Sequence, residues 1–249
     1  MSLRFCLRPA IASTLTLRRQ FVPSASFISS HTRSYSILDR ATMSSPAPAP
    51  QRRFQNPAVF VCDIQEKFRP AIHEFDKVIA TTSKLLRASS ILSLPVFVTT
   101  QNRARLGDTV SELKPHLATA TVKADIDKTR FSMFIPPLLS DSVFSSPAEV
   151  AIVGIESHIC VTQTALDLLQ AGHKVYILAD GVSSTNKEEV PIALARLRQA
   201  GAVVTSSESW IYELMGDAAV PEFKGIVNLV KDTAKETKGS LGGLLGSKI

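Results

Sequence analysis

Five short apolar runs recur along this chain, and each is followed by a segment of a different period. They are "AVFVCDIQ" (Ala58–Gln65), "PVFVTTQ" (Pro95–Gln101), "AEVAIVG" (Ala148–Gly154), "KVYILAD" (Lys174–Asp180) and "AVVTSS" (Ala202–Ser207). Their apolar residues are consecutive rather than alternating, which is the pattern of strands covered on both faces. The intervening segments read as helices. Phe75–Leu94 places Val78, Ile79, Leu85, Leu86, Ile91 and Leu92 at roughly helical spacing. Thr162–Gln170 carries Ala165, Leu168 and Leu169 on one face before Gly172, Lys187–Ala200 ends at Gly201, and Glu208–Leu214 begins another helix. Buried strands alternating with helices predict right-handed crossovers. The expected fold is therefore α/β, a three-layer α/β/α Rossmann-like sandwich around a mostly parallel sheet. A short helix is predicted over Glu112–Leu117, and a short strand or extended segment over Ala120–Ile126. Neither GxGxxG nor GxxxxGK[ST] follows a strand, so the layout by itself implies no nucleotide.

The two ends differ from this core. Met1–Thr42 holds six Arg, no Lys and one acid, Asp39. The overall charge of +6 thus leaves the rest of the chain near +1, too little for the basic patch that nucleic-acid binding requires. An Arg-, Ser- and Leu-rich, acid-poor leader without a continuous apolar core matches a mitochondrial presequence rather than a secretory signal. "RSYS" (Arg33–Ser36) suggests cleavage after Tyr35 and a matrix location, the alternative being a cytoplasmic product started at Met43. The Pro/Ala segment Ser44–Phe54 reads as a linker. The expected organisation is a leader and linker over 1–55, one α/β domain over 56–223, and a C-terminal helix with a mobile tail over 224–249. No run reaches the roughly 18 consecutive apolar residues of a membrane span.

Cys6 lies in the leader, and Cys62 and Cys160 form neither a CxxC pair nor a zinc spacing. In an open parallel sheet, ligands bind beyond the carboxyl ends of the strands. Three reactive side chains fall there: Asp63 after the first strand, Lys128 after Ala120–Ile126, and Cys160 in the turn "GIESHIC" (Gly154–Cys160) before the next helix. A thiol attacks as thiolate, so Asp63 could take its proton and Lys128 could hold both charges. A helix starting near Cys160 would add its amino-terminal dipole and N–H groups. Each residue also has an ordinary reading: a turn-forming Asp, a solvated Lys, a small buried Cys.

Three quoted stretches carry a resemblance. "VFVCDIQEKF" (Val59–Phe68), "DKTRFSMF" (Asp127–Phe134) and "VGIESHICVTQTALDLLQAGHKVYILADGVSS" (Val153–Ser184) resemble the isochorismatase-like cysteine hydrolases, which include nicotinamidases and carbamoylsarcosine hydrolases. The likeness runs from about Pro57 to Phe223. It is nearest to the isochorismatase domain-containing subgroup, through "GDTVSEL" (Gly107–Leu113) and "LRQAGAVVTSSES" (Leu197–Ser209). The resemblance implies a catalytic Asp63, Lys128 and Cys160, a cis peptide at Ile155–Glu156, and an oxyanion hole from the N–H groups of Glu156 and Cys160. Ser157 stands where the family usually has Thr and keeps the hydroxyl. His158 is read as a loop or pocket-wall residue. The metal-binding histidines of nicotinamidases have no counterpart in "TTQNRARLGDT" (Thr99–Thr109), so no metal or other cofactor is expected.

The expectation is a metal-independent hydrolase of a small amide, ester or isochorismate-like metabolite, working through an acyl-enzyme. Gln65, Phe68, Gln101, Phe131 and Phe134 are candidate substrate-binding walls, Phe131 and Phe134 being equally suited to the core. Two alternatives stay open: vinyl-ether hydrolysis that does not need the Cys, and a noncatalytic binding or thiol-sensor protein, for which Cys62 is the available partner thiol. The expected partners are a small molecule and other copies of the chain, because such folds commonly pair helix faces.

Overall fold

The structure, a computed structural model, describes residues 53–246. The expected presequence, its cleavage point, Cys6, Met43 and most of the linker lie outside the described residues. Six strands follow in chain order, β1 (Pro57–Cys62), β2 (Pro95–Gln101), β3 (Thr121–Lys128), β4 (Glu149–Ile155), β5 (Lys174–Ser183) and β6 (Val203–Thr205). The helices are α1 (Phe75–Leu92), α2 (Arg103–Leu106), α3 (Lys114–Thr119), α4 (Pro136–Leu139), α5 (Thr162–Gln170), α6 (Glu189–Gln199), α7 (Ser207–Met215), α8 (Phe223–Asp232) and α9 (Ala234–Ser240).

Every strand pair is parallel, in the order β3-β2-β1-β4-β5-β6. The chain runs outward from β1 through β2 to β3, then returns to build β4, β5 and β6 on the other side. The order therefore reverses between β1 and β4, and such a switch point leaves a crevice beyond the strand ends.

Alternation along β1 sorts two cores. Val59 and Val61 pack on one face with α1 residues Val78, Leu85 and Leu86 and with Trp210, Ile211 and Leu214 of α7. Ala58, Phe60 and Cys62 point the other way, into the core formed with Cys160, Val161, Ala165 and Leu168 and with Val190 and Leu197 of α6. The burial of both faces explains why β1, β4 and β5 lack polar alternation. Only β3 alternates, with Lys123, Asp125 and Asp127 outward. It is an edge strand, and its charges guard an open hydrogen-bonding edge.

The C-terminal segment corrects an expectation. A mobile tail is expected within 224–249, yet among the described residues α9 and a further turn over Leu241–Leu245 are helical. The stretch is anchored on α1: Lys84 Nζ donates to Thr237 Oγ1 at 2.9 Å, Ser240 Oγ donates to the Lys77 carbonyl at 3.3 Å, and Leu244 joins the core. Spaced apolar and small residues with a docking face outweigh weak helix propensity. Among the described residues, no helix is long and apolar enough to cross a membrane.

Lys84 is 2% exposed, and burial lowers its pKa, an effect that the charges of Asp180 and Glu208 offset only in part. A lysine with a depressed folded pKa disfavours folding while protonated. Stability should therefore rise with pH in the window between that depressed value and the unfolded lysine value near 10.4. Lys84→Met, similar in volume and uncharged, is expected to remove that rise and to leave neutral-pH stability unchanged or higher by about 1 kcal/mol. Urea unfolding at pH 7 and across the alkaline window measures both.

Candidate active site

Asp63 leaves β1 with a φ of +53°. Aspartate tolerates this left-handed conformation better than most residues, and the turn aims the carboxylate across the strand ends instead of along β1. Three donors converge on it. Thr99 Oγ1, at the end of β2, donates to Oδ1 at 2.8 Å; Lys128 Nζ donates to Oδ2 at 2.7 Å; and the Cys62 thiol lies 3.6 Å from the same Oδ2.

Lys128 ends β3, two strands from β1, a lateral gap of about 10 Å. The four-carbon stem of lysine spans it over β2. The resulting ion pair is almost wholly buried, with side-chain exposures of 1% and 2%. Nζ also meets Gln101 Oε1 at 2.7 Å and the carbonyls of Phe131 at 3.0 Å and Arg130 at 3.1 Å. Burial alone would lower the Lys128 pKa, but the neighbouring Cys62, Asp63 and Cys160 raise it above the ordinary value, so the ammonium stays charged.

Cys160 arrives from the other side of the switch point. The Ile155–Glu156 peptide at the end of β4 is cis. A wide turn follows over Ser157–Val161, in which the Glu156 carbonyl accepts from both Ile159 N and Val161 N, and α5 continues from it. Cys160 is 7% exposed and packs in the same core cluster as Cys62. Thr164 Oγ1 donates to the Cys160 carbonyl at 2.6 Å and accepts from Met133 N at 2.9 Å. One hydroxyl thus couples the segment after Lys128 to the turn that carries Cys160.

On its outer side, the turn is tied to the exit of β5. Glu156 Oε2 accepts from Thr185 N at 2.8 Å, and His158 Nδ1 lies 2.9 Å from Ser184 Oγ. Gly154 lets the turn come close to β1. Its φ is +119°, and a Cβ there would stand 2.1 Å from the Cys62 carbonyl oxygen. No other residue type fits both conditions.

The candidate walls separate into different roles. Gln65 is fully buried and is a brace. Its Nε2 donates to the carbonyls of Gly107 at 2.7 Å and Gln101 at 3.2 Å, while Oε1 accepts from Gln101 N at 2.7 Å. Gln101 spends its amide on Lys128 and, at 2.8 Å, on the Thr129 carbonyl. Phe68 packs on the α1-side core. Phe134 stacks edgewise with His173 and Phe144, at ring separations of 5.7 and 6.4 Å, as a core residue. Gln65 and Gln101 thus have their amides committed to internal bonds, while Phe68 and Phe134 are half-buried against the two cores. Phe131 is the exception, 50% exposed at the rim of a cavity of about 330 Å³ lined also by Arg130, Gln163 and Leu166.

Sequence reasoning missed Thr99, Thr164, Ser184 and Thr185. Thr99 had a faint signal, the first hydroxyl after the apolar run of β2, in register with Cys62. The others are ordinary polar residues whose partners are distant in the chain.

The sequence matches the Isochorismatase domain family over residues 57–209. It is 43% identical to the secreted isochorismatase effector Isc1 of Phytophthora sojae, over 73% of this chain and 87% of that protein. It is 37% identical to isochorismatase domain-containing protein 1 of Danio rerio, over 80% of this chain and 68% of that one. The solved structure of the MAR1 ribonuclease of Caenorhabditis elegans superposes with a TM-score of 0.67 at 42% identity, covering 71% and 90% of the two chains.

Gly154→Ala is expected to lower folding stability by about 3 kcal/mol or more, since the methyl group collides with backbone and the φ is unfavourable. Gly172→Ala, which meets nothing within 4 Å, is the control for the conformational part alone. Denaturant unfolding of the two variants separates the close approach from the backbone conformation.

Proposed function

The chain belongs to the isochorismatase family of hydrolases, and from that premise we propose that it is a metal-independent cysteine hydrolase of a small amide, ester or isochorismate-like metabolite. The observation that carries this reading is the buried Asp63–Lys128 pair facing the Cys160 turn across the β1/β4 switch point. A buried ion pair is a poor stabiliser compared with apolar packing, so keeping one at the ligand crevice fits a chemical use.

In the proposed reaction, Asp63 accepts the Cys160 proton while Lys128 holds the negative charge in place. The thiolate attacks the substrate carbonyl carbon, and the N–H groups of Glu156 and Cys160 hold the oxyanion that develops. Asp63 returns the proton to the leaving amine or alcohol, giving a thioester. A water deprotonated by Asp63 then attacks the thioester, and the acid and the free thiol are released. The exit of β2 supplies Gln101, Asn102 and Arg103 rather than imidazoles, which supports the metal-independent form. The near-neutral charge outside the leader favours a small substrate over the RNA implied by the nuclease name of the C. elegans relative. We further read the exposed Ile192 on α6 as a subunit contact of a homo-oligomer, and the leader as an import signal to the mitochondrial matrix.

Intact-mass spectrometry after brief mixing with a panel of small amides, esters and isochorismate tests the chemistry. A covalent adduct is expected on the wild type and not on Cys160→Ala, with turnover reduced about 10³-fold or more in that variant. Asp63→Asn should lose about 10²–10⁴-fold as a base is removed. Isochorismate turnover that survives Cys160→Ala would replace this mechanism with vinyl-ether hydrolysis.

A further inference from the structure

Cys62 has no part in the proposed hydrolysis, yet it adjoins Asp63 and shares a core cluster with Cys160. Period-two alternation along β1 turns its side chain to the same face as Cys160, and both belong to one packed cluster. Its Sγ lies 3.6 Å from Asp63 Oδ2. Both cysteines are free thiols, Cys62 fully enclosed and Cys160 slightly open to solvent. We propose that Cys62 and Cys160 are a peroxide-responsive pair that closes into a reversible disulfide, with Asp63 as the base that activates Cys62.

The difference in exposure sets the order of events. Cys160, the sulfur more open to solvent, meets the oxidant first. Its proton passes to Asp63, the thiolate attacks one oxygen of hydrogen peroxide, the O–O bond breaks, and the departing hydroxide takes the proton from Asp63 as water, leaving Cys160 sulfenic acid and Asp63 again a carboxylate. Burial, foremost, pushes the Cys62 thiol well above its ordinary pKa, helped by the adjoining Cys160 and Asp63. Cys62 is therefore inert alone and requires a base in contact. Asp63 takes its proton, the Cys62 sulfur attacks the Cys160 sulfur, and the S–OH bond breaks. The departing hydroxide takes the proton from Asp63 and leaves as water. In sum, two thiols and one peroxide give one disulfide and two waters. Their common cluster gathers the two side chains in one place, the condition from which such a bond starts.

Two consequences follow from the placement. The disulfide ties up the sulfur that the hydrolysis needs, so oxidation switches off the reaction and a thiol reductant restores it. It also protects Cys160 from passing on to sulfinic acid, which thiols do not reverse. The pairing itself does not depend on the hydrolase reading, and its test uses no substrate.

Purified protein is treated with hydrogen peroxide, alkylated under denaturing conditions, digested and mapped by mass spectrometry. The expected result is a linked Cys62–Cys160 peptide lacking two hydrogens, abolished by reductant, with alkylation of Cys160 falling about tenfold and recovering on reduction. In Cys62→Ser the linked peptide should vanish, and Cys160 should gain two oxygens irreversibly. Wild-type protein whose Cys160 becomes sulfinic without a linked peptide, stays reduced, or pairs with Cys6 or another chain overturns the proposal. The wild-type map alone decides if Cys62→Ser does not fold. Adduct formation on substrates under reducing conditions is scored separately, so failure of the switch and failure of the hydrolase reading give different results.

Discussion

The buried contact between the Asp63 carboxylate and the Lys128 ammonium is the constraint to which the rest of this site conforms. Two charges removed from water lose several kcal/mol of solvation each, and only tight mutual contact with further hydrogen bonds offsets the loss. Both partners are accordingly saturated. Thr99 caps the free oxygen of Asp63, and Gln101 with two backbone carbonyls surrounds the Lys128 ammonium. Those carbonyls belong to the segment after β3, so satisfying the lysine also fixes the course of Arg130–Ser132.

From that pair, order spreads in two directions. Gln65 and the Gly107–Val110 stretch brace the β2 exit through backbone bonds, including Glu66 N to the Asp108 carbonyl and Val110 N to the Ile64 carbonyl. Thr164 joins the Lys128 segment to the Cys160 turn, and Glu156 and His158 fasten the turn to the end of β5. The pair, the turn and the loops around them are thus one hydrogen-bonded unit set on the ends of five neighbouring strands. Strand ends carry reactive groups more reliably than free loops do, because the sheet behind them is rigid. In the proposed reaction this rigidity keeps the thiol, the base and the backbone donors aligned without rearrangement of the enzyme.

The same packing explains why Cys62 matters. On a strand read only as hydrophobic, a cysteine is a small apolar filler. At the last position of β1, facing the same core as Cys160 and beside Asp63, it gains a partner thiol and a base. Gly154 makes this proximity possible, since any side chain there would hold β4 and its turn away from Cys62.

Much of the fold was legible in the chain. Unbroken apolar runs of strand length can only be buried on both faces, and helices of the intervening length return the chain to the same end of the sheet; together these gave the parallel α/β sandwich. The quoted motifs pointed to Asp63, Lys128 and Cys160 and to the Ile155–Glu156 peptide. Local pattern could not reveal that Gln65, Gln101 and Phe134 would be consumed by internal bonds and packing, because their partners lie on other strands and loops. Nor could it reveal that a glycine-rich end would dock as α9 on α1, where a buried lysine and a threonine 153 positions apart meet. What the sequence determined by itself was periodicity, and hence which segments pair with water and which with one another. Which polar groups are spent and which two thiols share a core was decided only when strands distant in the chain came to lie about 5 Å apart in the sheet.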